Sequence, residues 1–152
     1  MPNAYRRPYL DSSVYIAAIK GEQDRAEIAK HILEDAEQNK LEIVGSTFVI
    51  AEVIRAKGQT PLSSEDEQIV DHYVLRESMT WVELDVSLAL EARRIARAHG
   101  LKPTDAVHLA SAIRGKADIV FRWDDRFVTG GDTVEGIKVT EPYWTGQLRL
   151  TA

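Results

Sequence analysis

Four acidic positions stand where neither core packing nor helix formation requires an acid. They are Asp11, Glu52, Asp105 and Asp124. Asp11 and Asp124 each follow a short apolar run typical of a β-strand, whereas Glu52 and Asp105 lie in patterns typical of helices. In open α/β sheets the carboxyl ends of the strands form the ligand crevice. The positions therefore predict an acidic cluster at one sheet edge, with Asp125 as a further candidate member.

Each acidic position also has a purely structural explanation. Asp11 is well placed to cap the helix that follows it, and Asp105 suits the positive end of a helix. Asp124 suits a turn after a strand. Glu52 lies within an apolar stretch, where its carboxylate needs a cationic partner, and Arg55 is three residues away.

Convergence of the acids favours a cation site over four separate structural roles. Carboxylates that share a crevice raise one another's pKa unless a cation lies among them. The chain has no cysteine, so the predicted ligands are all oxygens, which suit Mg²⁺ or Mn²⁺. Such ions activate water and stabilise the leaving oxygen of a phosphodiester. The acids therefore predict a metal site for phosphate chemistry.

The elements that must position these acids alternate between short apolar runs and longer helical patterns, which predicts an α/β fold with a mainly parallel sheet. The predicted strands end at Leu10 and span 41–44, 80–84, 118–121 and 137–140. The predicted helices follow Asp11, span 23–38, follow Ser46 or Thr47, run from the Pro61 region to about Glu77, and span 87–99 and 102–113. Thr104 is predicted to cap the last helix, and Gly130-Gly131 to form a loop.

Composition bounds the class of protein. The chain has 152 residues, of which 44% are hydrophobic and 28% charged, so we expect one domain over 1–152 with a core from about 7 to 140 and a short C-terminal tail. No apolar run reaches the roughly 18 residues of a membrane span, and the N-terminus lacks a signal-peptide pattern. Together with the lack of cysteine, these features predict a cytoplasmic protein without a membrane partner.

The charge is unevenly distributed. The net charge is −5, yet residues 93–126 carry eight Lys or Arg against four Asp, and residues 22–42 carry seven acids against three bases. The basic stretch is compatible with a path for a nucleic acid, and equally with ordinary solvated helix faces.

Four segments, in this order, resemble the PIN domain family, and most of all the VapC-type toxin ribonucleases of toxin–antitoxin pairs. The segments span residues 9–14, 46–55, 104–112 and 117–127. The resemblance implies a PIN-like three-layer α/β/α sandwich with a short, mainly parallel central sheet. It also implies hydrolysis of RNA phosphodiester bonds with Mg²⁺ or Mn²⁺, a small antitoxin protein as partner, and a homodimer.

The resemblance also implies roles for individual residues. Asp11, Glu52 and Asp105 fall on the family's metal-binding acids, and Asp124 on the fourth, with Asp125 beside it as an alternative. Ser13 and Thr104 are implied to orient carboxylates or waters from behind the ligands, and His108 is expected to be a packed or hydrogen-bonded residue rather than a general base. Arg122 is a departure, because the family often has Ser or Thr at that position.

Other functions fit less well. A phosphoacceptor receiver domain needs a second acid directly after the first strand, where Ser12-Ser13 stands, and a lysine after a late strand, which the region around Phe121 does not offer. A housekeeping RNA-processing PIN nuclease, or a non-catalytic RNA- or protein-binding PIN module, would show the same pattern. The short length beyond the minimal domain favours a toxin.

Overall fold

The structure is a computed structural model that describes residues 4–55, 58–123 and 133–145. Strands and helices alternate along these ranges as β1 (Pro8–Leu10), α1 (Ser12–Lys20), α2 (Gln23–Glu37), β2 (Val44–Ser46), α3 (Thr47–Glu52), α4 (Ser64–Val74), β3 (Thr80–Val82), α5 (Val86–His99), α6 (Pro103–Arg114), β4 (Ile119–Phe121), β5 (Thr133–Val134) and β6 (Ile137–Thr140). Asp124, Asp125 and the Gly130-Gly131 loop predicted from the sequence lie outside the described residues.

The order in which strands are added to the sheet reverses beside β1. The strand order is β3-β2-β1-β4-β6-β5, and every pairing is parallel except that of β5 with β6. The chain builds outward from β1 through β2 and β3, then returns to the opposite side of β1 as β4. Open α/β sheets place their ligand crevice at the carboxyl ends of the strands where the order reverses. In this sheet that point lies between β1 and β4.

Helices cover both faces of the sheet, as the predicted α/β/α sandwich requires. Helix α1 contacts α2, α3 and α4, whereas α5 pairs with α6, which also contacts β2 and β4. The strands β1, β2 and β4 are buried along their whole length, as expected for parallel strands covered on both sides. The predicted fold class is confirmed.

Caps define most of the helix starts. Oxygens of Asp11, Ser46, Ser63 and Asp85 each accept a backbone N–H in the first turn of the helix that follows, which satisfies a donor left unpaired by the helix. Helix α5 ends at Gly100, whose φ of 65° favours glycine.

Several predicted boundaries differ from the structure. Helix α6 begins at Pro103, and Lys102 precedes it without a side-chain cap, so the prediction that Thr104 caps this helix is wrong. Pro103 starts the helix because its fixed φ is helical and the first helical N–H needs no partner. Helix α4 ends at Val74 rather than near Glu77. The short antiparallel strand β5 was not predicted.

Strand β2 lies later in the chain than the apolar pattern over 41–44 indicates, because it pairs along Val44–Ser46 with β3. Gly45 allows the Trp81 ring of β3 to lie over this strand, since a Cβ at Gly45 would come within 2.6 Å of the ring. In the described ranges, every helix is too short or too polar to cross a membrane.

We predict that G115A destabilises the protein by about 1–3 kcal/mol through overpacking. A Cβ at Gly115 would lie 2.4 Å from Val44 Cγ1 and 3.0 Å from Val82 Cγ2, so α6 would have to move away from the sheet. Urea denaturation measures the change. G100A is the matched control: it has open space but a positive φ, and should cost about 1 kcal/mol. Unaltered stability of G115A would contradict this close packing.

Candidate functional site

The register of β1 and β4 brings Asp11 and Arg122 side by side. Leu10 pairs with Phe121 in parallel strands, so the next residue of each strand emerges at the same edge of the sheet. The backbone N–H of Asp11 donates to the carbonyl of Phe121 at 3.2 Å, and that of Arg122 donates to the carbonyl of Thr140 at 3.1 Å. Both residues are therefore held by the sheet itself.

The two oxygens of the Asp11 carboxylate have different partners. Oδ1 accepts a hydrogen bond from the backbone N–H of Ser13 at 2.9 Å and another from the Ser13 hydroxyl. Oδ2 lies 3.7 Å from Nε of Arg122. The Asp11 carboxylate thus caps α1 through Oδ1 and faces Arg122 through Oδ2, so its role as a helix cap does not exclude a role in the predicted cation site.

Arg122 links Asp11 to Asp105. Its Nη1 donates to Asp105 Oδ1 at 3.0 Å, from the first turn of α6. The Arg122 side chain is only 7% exposed and that of Asp105 is 14% exposed. A buried guanidinium therefore lies between two carboxylates that the sequence analysis predicted to converge.

Glu52 reaches the same region through a histidine. It is the last residue of α3. Its Oε1 lies 2.9 Å from His108 Nε2, although it accepts no well-directed hydrogen bond from the described residues. His108 follows Asp105 by one turn of α6, and its Nδ1 lies 2.7 Å from the Tyr9 hydroxyl. The Glu52 carboxylate thus faces His108, not the Arg55 side chain considered from the sequence.

Burial dominates the electrostatics of the cluster. It raises the pKa of Asp11 above the ordinary value, and the opposing effects of His108, Arg122 and the Ser13 hydrogen bonds only partly offset it. Burial likewise raises the pKa of Tyr9, with the Asp11 charge adding to the effect. The folded protein therefore pays a cost to keep Asp11 ionised, which a cation at this edge reduces.

The oxygen donors suit a hard cation, and one cation is already present among them. No three His, Asp or Glu side chains within the described ranges are arranged around a point where a metal ion could bind. Asp11 and Asp105 instead share the Arg122 guanidinium, which stands in for a positive ion between them. The carboxylates therefore suit a hard cation in their chemistry, and the position between Asp11 and Asp105 is taken by the Arg122 guanidinium.

Ser13 and Thr104, the residues predicted to orient the metal-binding carboxylates, differ in their hydrogen bonds and exposure. The Ser13 hydroxyl donates to Asp11 and accepts the backbone N–H of Trp123 at 3.2 Å, so it is placed to orient that carboxylate. Thr104 is exposed beside Asp105, and its role stays a prediction. Asp124 and Asp125 lie outside the described residues.

A cleft borders the site beyond Trp123. It has a volume of about 500 Å³ and contains Arg25, Ile28 and Glu141 in its lining. The Arg25 guanidinium lies 5.3 Å from the centre of the half-buried Trp123 ring, a cation–π contact. The residue directly after Arg122 therefore offers an aromatic face to this cleft, and α2 adds a cation.

Sequence reasoning missed three members of the site, namely Tyr9, His108 and Arg122. Tyr9 was given no role of its own, and His108 was expected to be packed or hydrogen-bonded, which agrees with its contact with the Tyr9 hydroxyl. Arg122 was noted only as a departure from the family. The feature that could have identified Arg122 is its position directly after β4, a buried strand that pairs with the strand preceding Asp11.

Two aspartates that cap helices should respond oppositely to pH. Because the pKa of Asp11 is raised in the folded protein, the wild type loses stability as pH rises from about 4, the unfolded value, through the folded pKa. We expect the stability of D11N relative to wild type to increase over this range. Urea denaturation in EDTA measures the free energy of unfolding of both proteins at each pH.

The control is D85N. Asp85 is exposed, and its pKa is lowered by the Leu88 N–H and Arg114, so its stabilisation is present above the unfolded pKa and is lost as pH falls through the folded one. D85N should therefore lose stability relative to wild type as pH rises. The same pH trend in both variants would refute the assigned environment of Asp11.

Comparison with known proteins identifies the family. Residues 9–130 match the PIN domain family model. No curated protein matches the chain by sequence. Among solved structures, VapC20 of Mycobacterium tuberculosis, a toxin that cleaves the sarcin-ricin loop, has a TM-score of 0.62 at 16% identity, with 86% of this chain and 98% of that one covered.

Two toxin–antitoxin assemblies have the same fold. A complex from Klebsiella pneumoniae gives a TM-score of 0.62 at 18% identity. The DNA-bound VapBC complex from Salmonella typhimurium gives 0.62 at 16% identity. Each alignment covers 90% of this chain and 98% of the other. The family match, over most of the chain and across the whole of the site described above, shows that this protein belongs to the PIN domain family.

Proposed function

We propose that the protein is an endoribonuclease that hydrolyses RNA phosphodiester bonds with Mg²⁺ or Mn²⁺, and that it is the toxin of a toxin–antitoxin pair. The observation that carries the proposal is that Asp11 and Asp105 share a buried cation at the carboxyl ends of β1 and β4. A carboxylate cluster at this point of an α/β sheet suits a ligand that brings positive charge.

The metal ligands in this proposal are Asp11, Glu52 and Asp105, with Asp124 as the fourth and Asp125 as its alternative. A divalent ion bound by these carboxylates would supply Lewis-acid chemistry to a phosphodiester. Three carboxylates from separate elements can hold such an ion without any thiolate or imidazole ligand.

The surrounding side chains position the ligands. Ser13 binds Oδ1 of Asp11 and leaves Oδ2 facing the cluster. Both ring nitrogens of His108 have close partners, the Tyr9 hydroxyl and the Glu52 carboxylate. His108 therefore acts as a positioning residue for Glu52 rather than as a base, and Thr104 is the residue we assign to orient Asp105.

RNA as substrate is supported by the family and by the site's surroundings. The similar VapC20 is a toxin that cleaves the sarcin-ricin loop. Trp123 lines the cleft beside the site and offers an aromatic face of the kind that stacks on unpaired bases, and Arg25 lies against it among the acids Glu22, Asp24 and Glu141.

An antitoxin partner and a homodimer belong to the same proposal. Two of the similar structures are toxin–antitoxin complexes. For a dimer, Val49 and Val53 are unsuitable contact residues, because both side chains are buried in the core. The exposed Ile50 and Ile54 beside them, at 39% and 46% exposure, are the better candidates. We place the activity in the cytoplasm.

We predict that the purified protein cleaves single-stranded RNA only when Mg²⁺ or Mn²⁺ is supplied. D105N should lower the cleavage rate at least about 100-fold, because even residues behind metal ligands contribute about 10- to 100-fold. A fluorogenic RNA assay measures the rate. D71N, which makes the same change on the exposed face of α4, is the control and should cleave normally.

Cleavage that persists in excess EDTA would disprove the metal-dependent mechanism. Wild-type activity in D105N would remove Asp105 from the site. Growth arrest on expression that is lost in D105N, but not in D71N, is the result expected of a toxin.

A further inference from the structure

Arg122 places a permanent positive charge inside the cluster that the proposed function assigns to a metal ion. A guanidinium stays protonated in proteins at any pH at which they are folded. Arg122 is 7% exposed, so its charge is poorly shielded by water, and its carboxylate partners compensate it. This charge belongs to the chain itself and is present whether or not any ligand is bound.

The guanidinium and a divalent ion would use the same oxygens. Arg122 Nη1 donates to Asp105 Oδ1 at 3.0 Å, and Nε lies 3.7 Å from Asp11 Oδ2. Mg²⁺ binds a carboxylate oxygen at about 2.1 Å, so an ion on Asp105 Oδ1 could be no more than about 5 Å from Nη1. At that separation a divalent ion and a guanidinium repel each other strongly at a buried site.

We propose that Arg122 is a resident cation of the acidic site that competes with the divalent ion for Asp11 and Asp105. In the metal-free protein the guanidinium holds the two carboxylates together against their repulsion. The ion binds only when the guanidinium leaves them, so Arg122 lowers the affinity for metal and sets the concentration at which the site fills. This inference rests on the proposed metal site and adds a regulatory residue to it.

The proposal predicts two effects of opposite sign for one substitution. R122Q keeps a polar but shorter side chain and removes the charge. It should melt at a lower temperature than wild type in EDTA, because Asp11 and Asp105 lose their counter-ion. It should also bind Mn²⁺ at least about tenfold more tightly, because the competing charge is gone. If Arg122 had only a structural role, R122Q would lower both the melting temperature and the affinity for Mn²⁺.

The experiment is a calorimetric Mn²⁺ titration and a thermal melt in EDTA on the full chain of each variant. R122K keeps the charge and should bind Mn²⁺ with an affinity near that of wild type. R114Q removes a comparable charge from the exposed pair with Asp85 and should not change the Mn²⁺ affinity. An affinity of R122Q equal to or weaker than that of wild type would overturn the proposal.

A second measurement on the wild type does not depend on the folding of R122Q. The ¹⁵N resonance of Arg122 Nε, assigned by its loss in R122K, should shift as Mg²⁺ saturates the protein. Mg²⁺ binding without a shift would overturn the competition alone and leave the nuclease proposal intact. If neither wild type nor R122Q binds Mn²⁺, the competition and the proposed metal site both fail.

Discussion

The structure depends on the compensation of buried negative charge at one edge of its sheet. Asp11 is 5% exposed and its pKa is raised by that burial, so the fold holds a carboxylate where ionisation is costly. Arg122 offsets this cost by lying between Asp11 and Asp105, and His108 faces Glu52. A protein gains little stability from such an arrangement compared with apolar packing. Under the proposed function, the arrangement serves the binding of a metal ion by the carboxylates.

The topology supplies this arrangement with few residues. Strand β1 lies between β2 and β4. The carboxyl ends of β1 and β4 are therefore neighbours, because Leu10 pairs with Phe121, 111 residues later in the chain. Helix α6 then adds two residues of the candidate site one turn apart, with Asp105 next to Arg122 and His108 next to Glu52. The rigid sheet and this helix hold the side chains, which is what a site needs to position a phosphate.

Much of the fold could be predicted from the sequence, because the strands and helices differ clearly in apolar pattern and the caps are strong. The convergence of Asp11 and Asp105 followed from the general rule for parallel sheets. The partners could not be predicted. Arg122 contacts Asp11 only through the pairing of β1 with β4, and Glu52 faces His108 instead of Arg55 because α3 ends at Glu52. Strand β5, with two residues, is too short to leave an apolar pattern.

The most direct test of the account is a crystal structure of the protein soaked with Mn²⁺, with anomalous diffraction locating the metal. We predict an anomalous peak within coordination distance of the Asp11 and Asp105 carboxylates, with the Arg122 guanidinium displaced from between them. A fully soaked crystal without a peak at this edge of the sheet, in which Arg122 still joins Asp11 and Asp105, would contradict the claim that this cluster is a metal site.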